Sequence, residues 1–348
     1  MKLKLFFAFA LLVVLSSFRS DRTVTVFMIG DSTMANKSLA DGNLERGWGH
    51  VLGCFFSEDV VVDNHAVNGR SSKSFIDEGR WDAVVSKIKK GDYVFIQFGH
   101  NDEKPKADRH TDPGTTFDAN LEKFVREARA KGAVPVLFNA IVRRNYAENK
   151  NAVTEDDFRR AVSANTLPEG DTLVDTHGAY LDSPRNVAKK LGVVFVDANR
   201  ISHDIVQSMG REGSKQLFMW IGPKVSEACP NGRQDNTHLN VYGAHIMASA
   251  FIDAVADAVP ALGRYVRHYD TSVAKDGSGD FFNLAPAVSG VASKKSGASV
   301  LVRQGEYTMP KAPKGRTIRT VSQREFDKNP ALKAGEIVLV LQTGAVVK

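Results

Sequence analysis

Residues 24–37 read VTVFMIGDSTMANK. Val24–Ile29 is a β-branched and apolar run with no polar alternation, which suits a strand buried on both faces, as strands of parallel sheets are. A tight turn at Gly30 would then set Asp31 and Ser32 just beyond the carboxyl end of that strand. Taken alone, Gly-Asp-Ser is an ordinary turn sequence. Whether Ser32 is a turn former or a nucleophile is decided by what the rest of the chain brings beside it.

Four further runs share this texture. TVTVFMI, VVVDNHAV, YVFIQFG, VPVLFNA and VVFVDAN begin near residues 23, 60, 93, 134 and 193. Amphipathic stretches separate them: in TTFDANLEKFVREARAKG, Phe117, Leu121, Phe124, Val125 and Ala128 share one stripe and Gly132 offers a cap. A last helix is predicted over Val241–Val259, with Ile246, Ala250, Ile252 and Val255 toward the core. Strand alternating with helix implies an α/β fold around a parallel sheet of about five strands with right-handed crossovers. Sites in such sheets lie outside the carboxyl ends of the strands. The first three runs are followed by GDST, NGRSS and GHND, and DNTHLN (Asp235–Asn240) enters the last helix.

The chain has 348 residues and 43% hydrophobic content, the composition of a globular protein with a sizeable core. Lys2 and Lys4, the apolar run Leu5–Leu15 and then Ser16, Ser17, Phe18, Arg19 and Ser20 read as an export signal over residues 1–20, cut between about 17 and 22. The run is short for a membrane span, and no span is expected after its removal. The formal charge of +6 is uneven: residues 1–20 carry +3 and the stretch from Arg264 carries +7, leaving −4 for residues 21–263. A mildly acidic body argues against nucleic acid as a partner. Export makes the compartment oxidising, with only Cys54 and Cys229 available to pair, and nothing in the sequence places them together.

Ester hydrolysis by a serine needs an activated hydroxyl, a histidine to take its proton, a carboxylate to orient the histidine, and donors for the oxyanion. Ser32, His238 and Asp235 supply the first three, with Asp235 and His238 close enough in sequence for one turn to present both. Gly69 can offer an unobstructed N–H and Asn101 a side-chain NH₂. Trp48, Arg70 and Arg80 are candidate substrate contacts, one an aromatic face for stacking and two guanidinium groups for carboxylates. Two other classes compete. A metal-dependent hydrolase could draw on His100, Asp102, Asp235, His238 and His245, but their spacing matches no zinc signature. A noncatalytic carbohydrate-binding protein would need a defect in this set, and none is visible.

Gly30-Asp31-Ser32, Gly69 in NGRSS, Gly99-His100-Asn101-Asp102 and Asp235-Asn236-Thr237-His238 resemble, in this order, the blocks of the SGNH (GDSL) hydrolase superfamily. GDST, GWGH, AVNGRSSKSF, QFGHND and DNTHLN more closely resemble the rhamnogalacturonan acetylesterases, over about residues 24–259. The resemblance implies a three-layer α/β/α, flavodoxin-like fold and removal of acetyl groups from pectic polysaccharide with no metal or other cofactor. It makes Ser32 the nucleophile, His238 the general base, Asp235 its partner, and the Ser32 N–H, Gly69 N–H and Asn101 side chain the oxyanion hole. Acetylxylan is the nearest rival substrate. An α/β-hydrolase elbow would need glycine where Met34 stands. Asp31 is expected to shape the turn.

The texture changes near Arg264. A hydrolase domain is expected over residues 21–263 and a β-rich extension over 264–348. VAKDGSGDFFNLAPAVSGV (Val273–Val291) and VLVRQGEYTM resemble the opening turns of pectin methylesterase β-helices, without the later coils that carry that family's aspartates. This implies a noncatalytic remnant. The protein is expected to act as a monomer.

Overall fold

The computed structural model describes residues 23–147 and 172–348; the expected export signal lies outside them. Strands β1 (Val24–Gly30), β2 (Val60–Asn64), β3 (Tyr93–Gln97), β4 (Val134–Phe138) and β5 (Val194–Val196) form one parallel sheet in the order β2-β1-β3-β4-β5. Alternation along β1 sends Val26 and Met28 into one core and Phe27 and Ile29 into the other. Helices α1 (Thr116–Ala130) and α2 (Asp182–Leu191) cover the second face, while α3 (Ala198–Gly213) and α4 (Val241–Ala258) cover the first. Helix, sheet and helix make the three layers of a flavodoxin-like fold, whose strand order reverses between β1 and β3.

The apolar stripe of α1 is buried as its spacing predicts. The stripe of α4 runs through Ala244, Met247, Ala248, Phe251, Ile252 and Val255, so Ile246 and Ala250 are only half-buried. Ile252 and Val255 lie in the core as expected, and the rest of the stripe is turned toward Phe251, which meets Trp48 edge-on with ring centroids 5.3 Å apart.

Beyond residue 263, β8 (Thr271–Val273), β9 (Ala298–Val302), β11 (Thr317–Ser322) and β12 (Glu336–Leu341) form a second parallel sheet in the order β8-β9-β12-β11. Strands β10 (Gly305–Tyr307) and β13 (Ala345–Val347) pair beside it, also in parallel. Helix α5 (Leu284–Val291) closes a separate small core over Val273, Val300 and Leu339. This sheet is tied to the body: Arg46, fully buried, donates to the Gly277 carbonyl at 2.9 Å, and Cys54 Sγ donates to the Ser278 carbonyl at 3.2 Å. Cys54 and Cys229 are both free thiols. Among the described residues no helix is long and apolar enough to cross a membrane.

Candidate active site

Reversal of strand order between β1 and β3 opens a crevice at their carboxyl ends. Gly30 and Gln97 are paired there, and a Cβ on Gly30 would stand 2.6 Å from the Gln97 carbonyl, so only glycine allows the two ends to lie so close. The chain then turns on Asp31. Its Oδ1 accepts from the N–H and hydroxyl of Thr33 (2.9 and 2.8 Å), and its carbonyl accepts from Met34 and Ala35. Residues 31 and 33–35 are buried while Ser32 stays partly open. Burial pushes the Asp31 carboxyl upward, and its Oδ2 has no hydrogen-bond partner among the described residues.

The DNTH segment reaches this turn from the far end of the chain. It belongs to β7 (Arg233–Leu239), antiparallel to β6 (Phe218–Ile221), and a bulge between the Phe218–Leu239 and Trp220–Gln234 pairs lets Asp235–His238 arch outward. The segment is thus a bulged strand rather than a simple turn. Asp235 Oδ1 accepts from the N–H groups of Thr237 (2.7 Å) and His238 (2.9 Å), clamping the arch. Its Oδ2 lies 2.8 Å from His238 Nδ1, and His238 Nε2 lies 3.0 Å from Ser32 Oγ. With Nδ1–H donating to the carboxylate, Nε2 is left to accept from the Ser32 hydroxyl. Burial alone would raise the Asp235 carboxyl. The hydrogen bond and charge of His238, with the two backbone donors, outweigh it and hold the group well below the ordinary carboxylate range.

The other two clusters are stitched to the same place. Val67 N–H donates to the Gly30 carbonyl (3.0 Å), and Asn101 Nδ2 donates to the Arg70 carbonyl (3.2 Å), leaving its second N–H available. Gly69 has φ +75°, which side chains rarely tolerate, and a Cβ there would meet nothing within 4 Å. Neither the Gly69 nor the Ser32 N–H finds an acceptor among the described residues.

A model of the GDSL-like lipase/acylhydrolase family matches residues 28–244. The chain belongs to that family. This esterase is 36% identical over 242 residues to a rhamnogalacturonan acetylesterase of Bacillus subtilis strain 168, covering 70% of this chain and 92% of the relative. A rhamnogalacturonan acetylesterase of Emericella nidulans is 27% identical over 263 residues, 74% of this chain and 96% of that one. Among solved structures, a Bacillus subtilis protein designated YxiM shares the fold, with a TM-score of 0.53 at 22% identity, over 69% of this chain and 58% of that one.

One expected substrate contact is overturned in the esterase. Trp48 is fully buried between Phe138 and Phe251, so it offers no face to a sugar. Its Nε1 instead donates to Gln97 Oε1 at 2.8 Å, and its backbone N–H donates to the Thr33 carbonyl at 2.9 Å. Trp48 is therefore a strut beneath the Ser32 turn. Arg70 and Arg80 are partly exposed and converge on the Glu78 carboxylate, at 3.0 and 2.5 Å. Arg70 adjoins Gly69, whereas no hydrogen bond connects Arg80 to the Ser32 cluster.

Sequence reasoning missed a run of charges behind His238. Arg233 donates to Asp235 Oδ2 and to Glu45 Oε2 (2.6 Å), and Glu45 Oε1 pairs with Lys37 at 2.7 Å. Lys37, itself buried, reaches Asn68 Oδ1 at 2.6 Å. Burial presses the Lys37 ammonium down, and Glu45 only partly restores it. The available signal was Arg233 two positions before Asp235, on the same side of a strand.

The esterase holds a second network of the same chemistry. Arg143 bridges Glu103 (2.5 Å), His100 Nδ1 (2.9 Å) and Thr176 Oγ1 (2.7 Å), and His177 sits between Glu103 Oε2 (2.9 Å) and the Ile141 carbonyl (3.0 Å). Burial, then the Arg143 charge, press His100 well below its ordinary value. Burial would lower His177 as well, but Glu103 outweighs it and raises the group. Asp102 is separately engaged by Ser72 and Thr111, and His245 faces Asp280 at 3.5 Å. Of the five residues weighed as metal ligands only Asp235 and His238 are paired with each other, and among the described residues no group of three or more His, Cys, Asp or Glu could hold a metal ion.

Proposed function

We propose that this esterase is exported and removes acetyl groups from acetylated pectic polysaccharide, rhamnogalacturonan first among the candidates, through an acyl-enzyme on Ser32. The observation that carries the reading is the chain Ser32 Oγ, His238 Nε2, His238 Nδ1, Asp235 Oδ2, with spans of 3.0 and 2.8 Å. The names of the two curated relatives support the substrate class.

In this reading His238 Nε2 takes the hydroxyl proton as Ser32 Oγ bonds to the acetyl carbonyl carbon. The carbonyl oxygen becomes an oxyanion, held by the Ser32 and Gly69 N–H groups and by Asn101 Nδ2. Asp235, ionised throughout, stabilises the imidazolium. Collapse breaks the bond to the sugar oxygen, which receives the proton from Nε2 and departs as a hydroxyl. Water, deprotonated by His238, then attacks the acetyl-serine, and acetate leaves with Ser32 reprotonated. Residues 264–348 carry none of these groups and are read as a noncatalytic extension.

The test is acetate release measured side by side on acetylated rhamnogalacturonan, homogalacturonan and xylan, for the wild type and Ser32→Ala. Release from rhamnogalacturonan that disappears in the variant supports the reading. Full activity in Ser32→Ala would sink the mechanism, and a preference for xylan would move the substrate assignment.

A further inference from the structure

Five of the basic residues of the C-terminal sheet line one edge of it. Three turns feed the amino ends of the adjacent strands β9, β12 and β11: residues 294–297 with Lys294 and Lys295, 332–335 with Lys333, and 313–316 with Lys314 and Arg316. The turns are stitched side by side. Gly335 N–H donates to the Lys295 carbonyl at 3.1 Å, and Thr317 N–H donates to the Gly335 carbonyl at 3.1 Å. A Cβ on Gly297 would stand 2.5 Å from the Lys333 carbonyl, so these turns are in direct contact. Neighbouring turns therefore repeat at about the 4.8 Å strand spacing.

The charges at this edge do not cancel. Lys294 is paired with Asp270, and Arg319 with Glu336 at 2.7 Å. Lys295, Lys314 and Lys333 are exposed and Arg316 is half-buried, and none of the four has an ion-pair partner among the described residues. Cations held side by side repel one another, and a polyanion laid along them relieves that repulsion.

The opposite edge of the sheet is used for attachment. After β9, β12 and β11 come Arg303, Thr343 and Gln323: Arg303 packs on Gly53, Thr343 donates to Glu58 Oε2 at 2.7 Å, and Gln323 Oε1 accepts from the Glu58 N–H at 2.8 Å. The cationic row thus points away from the body that carries Ser32.

We propose that this row is a docking edge for a polyuronate chain, the class of polymer that carries a carboxylate on each acidic sugar of an extended backbone. The choice of uronate over other polyanions rests on the pectic reading of the active site. Exposed lysine–carboxylate pairs are weak singly, and repetition along one polymer gives them avidity. Docking there would hold the esterase on demethylated pectin while leaving the Ser32 crevice open to an acetylated stretch.

The experiment is affinity electrophoresis of the full chain through gels containing polygalacturonate or neutral xylan, with binding to anionic phospholipid vesicles and single-stranded DNA measured in parallel. Two quadruple variants of equal charge change are compared: Lys295→Ala, Lys314→Ala, Arg316→Ala, Lys333→Ala at the row, and Lys87→Ala, Lys89→Ala, Lys131→Ala, Lys189→Ala on the body. Thermal melting identifies any variant that fails to fold, in which case single Lys295→Glu and Lys333→Glu variants replace it. Polygalacturonate should retard the wild type and the body variant, the row variant should bind about tenfold more weakly, and retardation should fade as salt shortens the screening length. Equal retardation of all three proteins, none for the wild type at low salt, or tighter binding to vesicles or DNA than to polygalacturonate would overturn the proposal. Acetate release is scored separately, so docking can fail while the esterase reading stands, and the reverse.

Discussion

Two polar networks in this molecule use the same chemistry and end differently. In one, Lys37, Glu45, Arg233 and Asp235 alternate in charge, and Asp235 leads through His238 to the partly open hydroxyl of Ser32. In the other, Arg143, Glu103, His177 and His100 form a network closed off from solvent: the Arg143 and His177 side chains are 2% and 0% exposed, and among the described residues their further partners include the Thr176 hydroxyl and the Ile141 carbonyl. Both contain a histidine against a carboxylate with an arginine behind it. What separates them is the open end. A histidine becomes a general base only where its second nitrogen meets a hydroxyl that substrate can reach and where donors await the oxyanion. The closed network is shut off from solvent, and removing one member leaves a buried charge without its partner.

The largest effect is expected at Ser32, the proposed nucleophile. Ser32→Ala should lower kcat by about 10⁴-fold or more with little change in thermal stability. Steady-state kinetics on a chromogenic acetate, paired with a melting curve, checks both halves.

Asp235→Asn should cost about 10³- to 10⁴-fold in kcat by offering Nδ1 the wrong partner. It also carries a stability signature. Because the folded carboxyl sits well below its ordinary value, the stability it contributes is present above about pH 4 and is lost as pH falls below that point. Denaturant unfolding below pH 4 should therefore lose one proton's worth of slope in the variant.

Asn101→Ala should lower kcat by about 10²- to 10³-fold with KM nearly unchanged, the mark of a donor used mainly in the transition state. The closed network should show the reverse pattern. Glu103→Gln should destabilise by about 3 kcal/mol while kcat shifts only a few-fold. A large loss of kcat in a stably folded Glu103→Gln would erase the distinction between the two networks. The smallest effect is expected at Arg233. Arg233→Gln frees the Asp235 carboxylate of one tether and should lower kcat by about tenfold, with partial recovery in Arg233→Lys.

Much of the fold was legible because buried parallel strands announce themselves as unbroken apolar runs. The five strands begin at Val24, Val60, Tyr93, Val134 and Val194, each within one residue of the sequence reading. The polar clusters were legible for a related reason, since parallel topology fixes which end of each strand forms the crevice. The supporting residues were not. Glu45 and Arg233 are 188 positions apart, and no local pattern couples them. Trp48, between Gly47 and Gly49, was misread because residue type alone does not tell a buried indole from one that stacks on a sugar. Here the glycines serve close approach: a Cβ on Gly47 would stand 2.4 Å from the Ala35 carbonyl. The α4 stripe was displaced because an alanine-rich, largely apolar helix gives little contrast between faces.

Ser32 is the proposed nucleophile of the open network. Mass spectrometry of the protein after treatment with a serine-directed phosphonate, followed by peptide mapping, tests it directly. One adduct is expected, on Ser32, with activity lost in proportion to labelling and no adduct in Ser32→Ala. Labelling at another serine in step with inactivation, or full activity with Ser32 modified, would contradict it.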